Sequence, residues 1–383
     1  MTLHKNIYLL KNRLGSLGGL EKYTWRIANA FAKHGCEVTI LSSDFVDKAH
    51  THPLLHFAHL PCNHKLSIRK IHDFDIKTRR YLLDKRADVI FGMDRNRYQT
   101  HLRLGNGVHR SFLQTRKYTD SLLKRWITPF NPLHRLILSI EKEALESPSL
   151  RCLFTNSHMV KQEVLSYYNV DPTKIHVVHN GVEWDEMQND FDTWIEKKSK
   201  IATALSLDPS TYHFLFIGNG YKRKGLDSLL KALQILSKED FHLSVVGKDK
   251  HLAYYIAKAK KLGLASKVSF YGQRSDIRKF YQLCDALVIP SFYDPFANVT
   301  VEALAMGLYV ISSQTNGGSE VLTSTNGHVL TSLQDPHYFA KVLQKAMHTP
   351  KTWLYSQQIR DSVKRLDFSH QTATLVHTSL QHL

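Results

Sequence analysis

Short apolar runs alternate with amphipathic stretches of helical length from one end of the chain to the other. Near the start, residues 7–10 predict a strand, residues 20–34 a helix that Gly35 ends, and residues 38–41 a second strand. This order forms a βαβ unit, whose crossover makes the neighbouring strands parallel. Further strands of the same sheet are predicted at 89–91, 152–155 and 175–178.

A second series of the same kind begins near residue 211, after a polar and charged stretch. The sequence therefore predicts an α/β protein with two Rossmann-like, doubly wound parallel sheets that face each other across a cleft. The expected segments are an N-terminal domain over 1–182, a linker over 183–210, a C-terminal domain over 211–365, and a helix over 366–383 that packs back toward the N-terminal domain. In the second series, strands are predicted at 213–217, 242–246, 268–271, 286–289 and 309–312, and helices at 226–236 and 252–262.

Hydropathy and cysteine usage indicate a cytoplasmic protein. No apolar run approaches the ~20 residues needed to cross a bilayer. The start of the chain lacks the apolar core and small-residue site of a signal peptide. The four cysteines are scattered without a C-x-x-C pair, which is typical of free thiols rather than of disulfides or a zinc site.

Charge changes this picture because it is large and uneven. The net charge is +17, and residues 1–180 carry 28 Lys and Arg against 15 Asp and Glu. A strongly basic half indicates an anionic partner, which is a phosphorylated substrate, an acidic membrane surface or nucleic acid. A general bias of the lineage toward Lys and Arg is the alternative.

The segment 110–135 combines basic and aromatic side chains, with six Lys and Arg against one acidic residue. Such a segment suits an anionic bilayer, where cations meet the headgroups and aromatic rings lie at their level. We therefore expect peripheral docking on the inner face of the cytoplasmic membrane, and a solvated lid over the cleft is the alternative. The expected membrane contacts are Arg116, Lys117, Lys124, Arg125 and Trp126.

A glycine-rich turn, Gly15-Ser16-Leu17-Gly18-Gly19, lies between the first predicted strand and helix. Glycines let the backbone approach a ligand closely, and the N–H groups at the start of a helix favour an anion. A plain tight turn explains the same residues equally well.

A basic loop follows the first strand of the second series. There the glycines of 218–225 surround three consecutive cations, Lys222, Arg223 and Lys224. Fixed cations at this position would stabilise the negative charge that grows on a leaving nucleoside diphosphate. The alternative is a solvated basic loop.

Two acidic residues eight positions apart follow the strand 286–289. Asp294 is expected in the loop and Glu302 in the helix that starts near Ala297. A carboxylate accepts hydrogen bonds from pairs of sugar hydroxyls, and free N–H groups of Ala297 and Asn298 would bond the sugar or its phosphate.

In combination, these elements resemble the retaining glycosyltransferases of family 4, which have the GT-B fold. The resemblance runs nearly end to end, and it is specific because the segments occur in the family's order. The segments that carry it are Gly18-Gly19-Leu20-Glu21, Gly35-Cys36-Glu37-Val38-Thr39-Ile40, Asn156-Ser157, 174–182, Arg223-Lys224-Gly225-Leu226-Asp227, Val245-Val246-Gly247, the Asp294/Glu302 pair, and Asn316-Gly317-Gly318-Ser319-Glu320.

The resemblance implies a nucleotide-sugar donor, with a UDP-sugar favoured, and transfer with retention, without a metal or another cofactor. Lys224, supported by Arg223, would hold the diphosphate, while Glu302 would bond the ribose and Asp294 the donor sugar. The implied donor site also includes Gly18, Gly19, Gln273, Arg274, Phe296, Ala297 and Asn298. At three positions the sequence departs from the family's pattern, and these departures concern the identity of the donor sugar. Asn219 stands where the family often has Arg, Asp294 where it usually has Glu, and Ala297 where it usually has Gly.

A narrower similarity, to bacterial lipopolysaccharide-core glucosyltransferases, rests on Arg103-Leu104-Gly105-Asn106-Gly107-Val108-His109-Arg110. It implies a glycolipid or saccharide acceptor and places Asn106 and His109 near the reacting carbon. Because an amide is not a base, His109 is the proton-handling candidate. The alternative is a histidine that only caps or packs.

Three other interpretations were weighed. Asp73-Phe74-Asp75 spells a metal-binding D-x-D, but it lies in a basic helical stretch and is interpreted as surface acids balancing nearby cations. A nucleotide-sugar epimerase of the same fold and a non-catalytic anion or nucleic-acid binder remain alternatives. Nucleic acid is not the expected partner, because the sequence contains no nucleic-acid-binding motif.

Overall fold

The computed structural model describes residues 5–14, 19–45, 52–118, 120–349 and 351–383. The chain forms two compact units, of which unit 1 comprises Met1–His179 with Ser369–Leu383 and unit 2 comprises Asn180–Phe368. Gly18, one of the predicted donor-site glycines, lies outside the described residues.

Unit 1 is built on a seven-stranded sheet in the order β3-β2-β1-β4-β5-β6-β7, in which every pair of neighbours is parallel. Its strands are β1 (Asn6–Leu10), β2 (Glu37–Ser42), β3 (Leu55–His59), β4 (Val89–Gly92), β5 (His101–Leu104), β6 (Cys152–Thr155) and β7 (Ile175–Val177). Its helices are α1 (Gly19–Lys33), α2 (Ser67–Leu82), α3 (His109–Thr115), α4 (Leu122–Ile127), α5 (Pro132–Leu145) and α6 (His158–Tyr167).

Unit 2 repeats the plan with a six-stranded parallel sheet in the order β10-β9-β8-β11-β12-β13. Its strands are β8 (Tyr212–Ile217), β9 (Phe241–Val246), β10 (Val268–Gly272), β11 (Ala286–Ile289), β12 (Tyr309–Ser313) and β13 (Gly327–Leu330). Its helices are α7 (Gln188–Asp192), α8 (Trp194–Ala204), α9 (Leu226–Ile235), α10 (Leu252–Lys261), α11 (Ile277–Leu283), α12 (Asn298–Ala305), α13 (Pro336–Met347) and α14 (Trp353–Asp361). The last helix, α15 (Phe368–Gln381), starts at the final residue of unit 2 and otherwise belongs to unit 1.

The unit 2 sheet is buried on both faces. Along β11, Ala286 and Val288 join one apolar cluster with α9 and α13, while Leu287 and Ile289 join a second cluster with α12. Because successive side chains of a strand point to opposite faces, this alternation places an apolar layer on each side of the sheet. The prediction of two parallel-sheet α/β domains is confirmed.

Three strands, β3, β5 and β13, were not predicted from the sequence. The reason is clearest for β5, where His101 and Arg103 interrupt the apolar pattern although both are buried. His101 Nε2 lies 3.2 Å from the Ser379 carbonyl oxygen of α15, and the Arg103 guanidinium lies 3.7 Å from the centre of the Tyr23 ring. These contacts satisfy polar groups that would otherwise oppose burial.

Residues 183–210, expected to form a linker, lie within unit 2 and contain α7 and α8. Trp184, Phe191 and Trp194 are buried in the same apolar cluster as α12. The guanidinium of the fully buried Arg360 donates to the carbonyl oxygens of Trp184 and Ala305. The polar composition of the segment therefore reflects its outer face and does not indicate a lack of structure.

The turn between β8 and α9 depends on Gly225, whose φ is +80° and whose added Cβ would lie 1.8 Å from the Pro290 carbonyl oxygen. Gly263 is the matched control, because its φ of +72° is similar but nothing lies within 4 Å of its added Cβ. We expect Gly263→Ala to lower the free energy of unfolding by roughly 1–2 kcal/mol, the cost of a left-handed backbone. Gly225→Ala should cost about 1–3 kcal/mol more through overpacking. Chemical denaturation measures both, and equal losses would contradict the close approach.

Candidate functional site

The basic loop and the acidic loop of unit 2 meet where the strand order reverses. β8 pairs with β9 on one side and β11 on the other, so the loops that follow β8 and β11 leave the same edge of the sheet side by side. The Phe292 N–H donates to the Arg223 carbonyl oxygen at 2.9 Å and joins the two loops directly. Such a switch point is where parallel sheets bind ligands.

At this point Arg223, Lys224 and Asp294 form one charged cluster. Lys224 and Asp294 are each 8% exposed, and the Lys224 ammonium donates to Asp294 Oδ2. Arg223 Nη1 donates to the Tyr293 carbonyl oxygen at 2.9 Å and lies 3.4 Å from Asp294 Oδ2. A carboxylate thus holds both cations in place, and the more exposed guanidinium is open to an anion.

Hydrogen bonds to β9 and the loop after it fix the basic loop. The Tyr221 N–H donates to Asp249 Oδ2 at 2.7 Å, and its hydroxyl donates to the Gly247 carbonyl oxygen at 2.7 Å. Asn219 Oδ1 accepts a hydrogen bond from the Lys248 N–H at 2.8 Å. Its side chain is therefore part of the loop's own framework.

Glu302 is the fifth of the eight residues of α12, and the hydroxyl of Tyr281, from α11, donates a hydrogen bond to Glu302 Oε2 at 2.7 Å. Tyr281 is 1% exposed, and burial together with the Glu302 charge raises its pKa. The phenol therefore stays protonated and donates, which orients the Glu302 carboxylate. The sequence gives no signal for Tyr281, because its partner is distant in the chain.

The other predicted donor residues have mixed surroundings. The prediction of a free Ala297 N–H is wrong, because it donates to Asn316 Oδ1 at 3.0 Å. Phe296 is buried, and Asn298 Oδ1 accepts from Asn180 at 2.6 Å. After β10, Gln273 is exposed and Arg274 is paired with Asp276 at 2.8 Å. Phe296 and Ala297 lie in the loop between β11 and α12, Asn298 begins α12, and Gln273 and Arg274 lie in the loop after β10.

In unit 1, the corresponding edge carries a second cation–carboxylate pair. Lys11, directly after β1, donates to Oδ1 of Asp94, which follows β4, at 3.0 Å. The Lys11 ammonium also lies 3.7 Å from Oε1 of Glu21 in α1. Gly19, one of the predicted donor-site glycines, begins α1. A cavity of about 210 Å³ opens here, with Arg13 and Arg95 in its lining.

Asn106 and His109 lie after β5 on the same sheet. Asn106 is exposed and lines a small cavity with Arg95 and Glu141, whereas His109, the first residue of α3, is 6% exposed. The His109 N–H donates to Glu141 Oε2 at 2.8 Å, and His109 Nε2 lies 3.1 Å from Nδ1 of His134. Burial, with the charge of Arg95, lowers the pKa of His109 to about 4, so the ring is neutral near pH 7.

The basic-aromatic segment forms α4 and the turns around it. Lys117, Lys124, Arg125 and Trp126 are exposed, while Arg116 is paired with Asp120. Within the described residues, none of the helices combines the length and the apolar character that a membrane span requires. The exposed apolar side chains of the segment, with their exposed fractions, are Leu123 (71%), Trp126 (79%), Ile127 (58%) and Phe130 (77%).

The D-x-D residues have separate partners. Asp73 pairs with Lys77 at 2.8 Å, one helical turn away. Asp75 is buried and accepts hydrogen bonds from the backbone and guanidinium of Arg97, both at 2.7 Å. The interpretation as surface acids is therefore wrong for Asp75, which fastens α2 to the loop after β4.

Two family models match the chain in succession. Residues 17–186 match the model described as Glycosyltransferase Family 4, and residues 197–361 match the model described as Glycosyl transferases group 1. An uncharacterized glycosyltransferase of Methanocaldococcus jannaschii is 26% identical over 56% of this chain and 54% of its own length. The lipopolysaccharide glucosyltransferase WaaG of Escherichia coli K12 is 27% identical over 47% of this chain and 49% of its own. The chain thus spans about half the length of these curated relatives.

Solved structures extend the likeness over the whole fold. The crystal structure of WaaG matches with a TM-score of 0.78 and 18% identity, covering 97% of this chain and 99% of that one. Anabaena HepE, solved with UDP-glucose, matches with a TM-score of 0.70 and 17% identity, covering 99% and 100%. The chain belongs to the glycosyltransferases of the GT-B fold, with a family 4 domain followed by a group 1 domain, and is similar to lipopolysaccharide-core glucosyltransferases.

Proposed function

We propose that the protein transfers a hexose from a nucleotide sugar, a UDP-sugar first of all, to an acceptor hydroxyl of a lipopolysaccharide core or another glycolipid. The observation that carries this proposal is the cluster of Arg223, Lys224 and Asp294 at the switch point of unit 2. The choice of donor is supported by the structure of HepE with UDP-glucose. The choice of acceptor is supported by the similarity to WaaG, a lipopolysaccharide glucosyltransferase.

The cluster supplies the chemistry that a nucleotide-sugar transferase needs. When the bond between the sugar and the diphosphate breaks, the leaving oxygen gains negative charge, which Arg223 and Lys224 stabilise from fixed positions. Because two protein cations do this, the reaction is proposed to need no metal. Glu302, oriented by Tyr281, would accept hydrogen bonds from the ribose hydroxyls.

Transfer is proposed to proceed with retention. The acceptor hydroxyl attacks the sugar from the face that the diphosphate leaves, and its proton passes to the departing phosphate oxygen. This route needs no protein nucleophile and no strong protein base. A neutral His109 with a lowered pKa is compatible with it.

Incubation with UDP-, GDP- and ADP-sugars in the presence of EDTA tests the donor site. We expect slow release of nucleoside diphosphate from one donor. Lys224→Met and Glu302→Gln should each reduce it at least about tenfold, because a charge-assisted contact contributes about 1.5–3 kcal/mol. Lys222→Met is the matched control, since Lys222 is an exposed lysine of the same loop.

Two other outcomes of this experiment would favour the alternative functions, an epimerase or a non-catalytic binding protein. Conversion of the donor sugar to an epimer without release of diphosphate would favour an epimerase. Indifference to every nucleotide sugar, together with salt-sensitive binding of nucleic acid, would favour a binding protein.

Tyr281→Phe tests whether Glu302 binds ribose. Removing the hydroxyl should weaken UDP binding by roughly fivefold, the value of one hydrogen bond. It should also reduce the preference for UDP over 2′-deoxy-UDP, and calorimetry measures both. Tyr309→Phe is the control, because the Tyr309 hydroxyl makes no hydrogen bond within the described part of the chain. If Tyr281→Phe left the preference for UDP over 2′-deoxy-UDP unchanged, the result would contradict a contact between Glu302 and the ribose.

We further propose that α4 docks on an anionic membrane, in support of a glycolipid acceptor. Sedimentation with phosphatidylglycerol vesicles should carry the protein down, and neutral phosphatidylcholine vesicles should not. Changing Lys124 and Arg125 to Gln should weaken binding roughly 30-fold, at about 1 kcal/mol per cation. The exposed pair Lys260 and Lys261 on α10, changed in the same way, is the control. Equal effects of the two double variants would contradict a specific docking surface.

A further inference from the structure

Three side chains of unit 1 form a continuous hydrogen-bonded chain that ends at His109. Arg116, in the 3-10 turn after α3, places Nη1 3.0 Å from Nε2 of His134. His134, on α5, places Nδ1 3.1 Å from Nε2 of His109. Arg116 is itself held by Asp120 at 2.6 Å, so the outer end of the chain is fixed.

The Arg116 guanidinium at one end of this hydrogen-bonded chain determines which ring nitrogens of His134 and His109 carry a hydrogen. A guanidinium only donates and does not lose its proton, so His134 Nε2 must be the acceptor and carries no hydrogen. A neutral His134 then carries its hydrogen on Nδ1 and donates it to His109 Nε2. That nitrogen is therefore also without a hydrogen, and neutral His109 must carry its own on Nδ1.

We propose that Arg116 and His134 are positioning residues that fix His109 as the Nδ1–H tautomer, so that His109 offers a neutral hydrogen-bond donor and not a base. Within the described residues, His109 Nδ1 makes no hydrogen bond, so its N–H is available to a ligand. The tautomer follows from the hydrogen-bond chain alone. Its use on a sugar or acceptor oxygen rests on the proposed transferase function.

The surroundings of His109 support a neutral, oriented ring. Glu141 accepts the His109 backbone N–H at 2.8 Å and is held by the Tyr168 hydroxyl at 2.6 Å. Phe112 stacks on the imidazole, with 5.8 Å between ring centres. Burial and the charge of Arg116 lower the pKa of His134 as well, so both rings of the chain stay neutral near pH 7.

Nuclear magnetic resonance on the full chain labelled with ¹⁵N-histidine tests the tautomer without any substrate. The ring signals of His109 are identified by their loss in His109→Gln, and we expect a protonated Nδ1 with an unprotonated Nε2. Arg116→Gln frees His134 to adopt either tautomer, and His134→Phe removes the donor to His109. Both should shift His109 toward a protonated Nε2.

Two matched variants control this experiment. Arg135→Gln removes the same charge from an exposed arginine adjacent to His134, and it should leave the His109 signals unchanged. His134→Asn keeps an amide donor near the Nδ1 position and should restore the wild-type pattern. A protonated Nε2 in the wild type, or signals that Arg116→Gln leaves unaltered, would overturn the proposal.

Kinetics separate the positioning role from a structural one. With the donor identified, Arg116→Gln should lower kcat roughly two- to tenfold, the value of one misplaced hydrogen bond, with the donor KM and the thermal midpoint unchanged. Arg116→Lys retains a donor and should recover most of the rate. An equal kcat in Arg116→Gln and the wild type would refute a role in transfer. If no donor reacts, only the transferase function fails, because the tautomer is decided by the resonance experiment.

Discussion

The reversal of strand order beside the first strand of each sheet is the constraint on which the charged residues at the carboxyl edge of each unit depend. In unit 2 the chain proceeds from β8 outward through β9 and β10, and then returns to continue on the other side of β8 with β11. The loops after β8 and β11 are thus adjacent although they are about seventy residues apart in sequence. The hydrogen bond from Lys224 to Asp294 joins them. No local interaction could bring these two side chains together.

Unit 1 uses the same device with different residues. Lys11 follows β1 and Asp94 follows β4, and these strands are neighbours at the reversal of the seven-stranded sheet. Asp94 also accepts the Asn12 N–H at 2.8 Å, so the pair fastens one loop to the other. In each unit a buried lysine at the carboxyl edge is neutralised by an aspartate from across the switch point. A lone buried charge would be costly, and the pairing makes the cation available without that cost.

This arrangement explains which parts could be predicted from the sequence. The βαβ alternation, the basic loop at 222–224 and the acidic pair at 294 and 302 are local patterns, and they predicted the two sheets and the residues of the charged cluster. The contacts within the cluster are not local: Asp294 was assigned to the sugar and Lys224 to the diphosphate, with no sign that they bond each other. Tyr281 and His134 were missed for the same reason, because a phenol or imidazole in an amphipathic helix carries no mark of its partner. The strand β5 was missed because its buried polar residues find partners only in the folded chain.

The segment after His109 shows how one stretch of sequence can serve two environments. Its composition predicted a single role, contact with an anionic surface, for Arg116 and Trp126 alike. The side chain of Arg116 is instead 24% exposed and engaged with Asp120 and His134, while Trp126 is 79% exposed. The difference follows from α5, the helix after the turns at 116–118 and 128–130. It places His134 Nδ1 3.1 Å from Nε2 of His109, the first residue of α3, and His134 Nε2 3.0 Å from Nη1 of Arg116. Arg116 is therefore engaged inside the segment, as the donor at one end of the hydrogen-bonded chain to His109, whereas Lys124 and Arg125 of α4 are exposed to solvent.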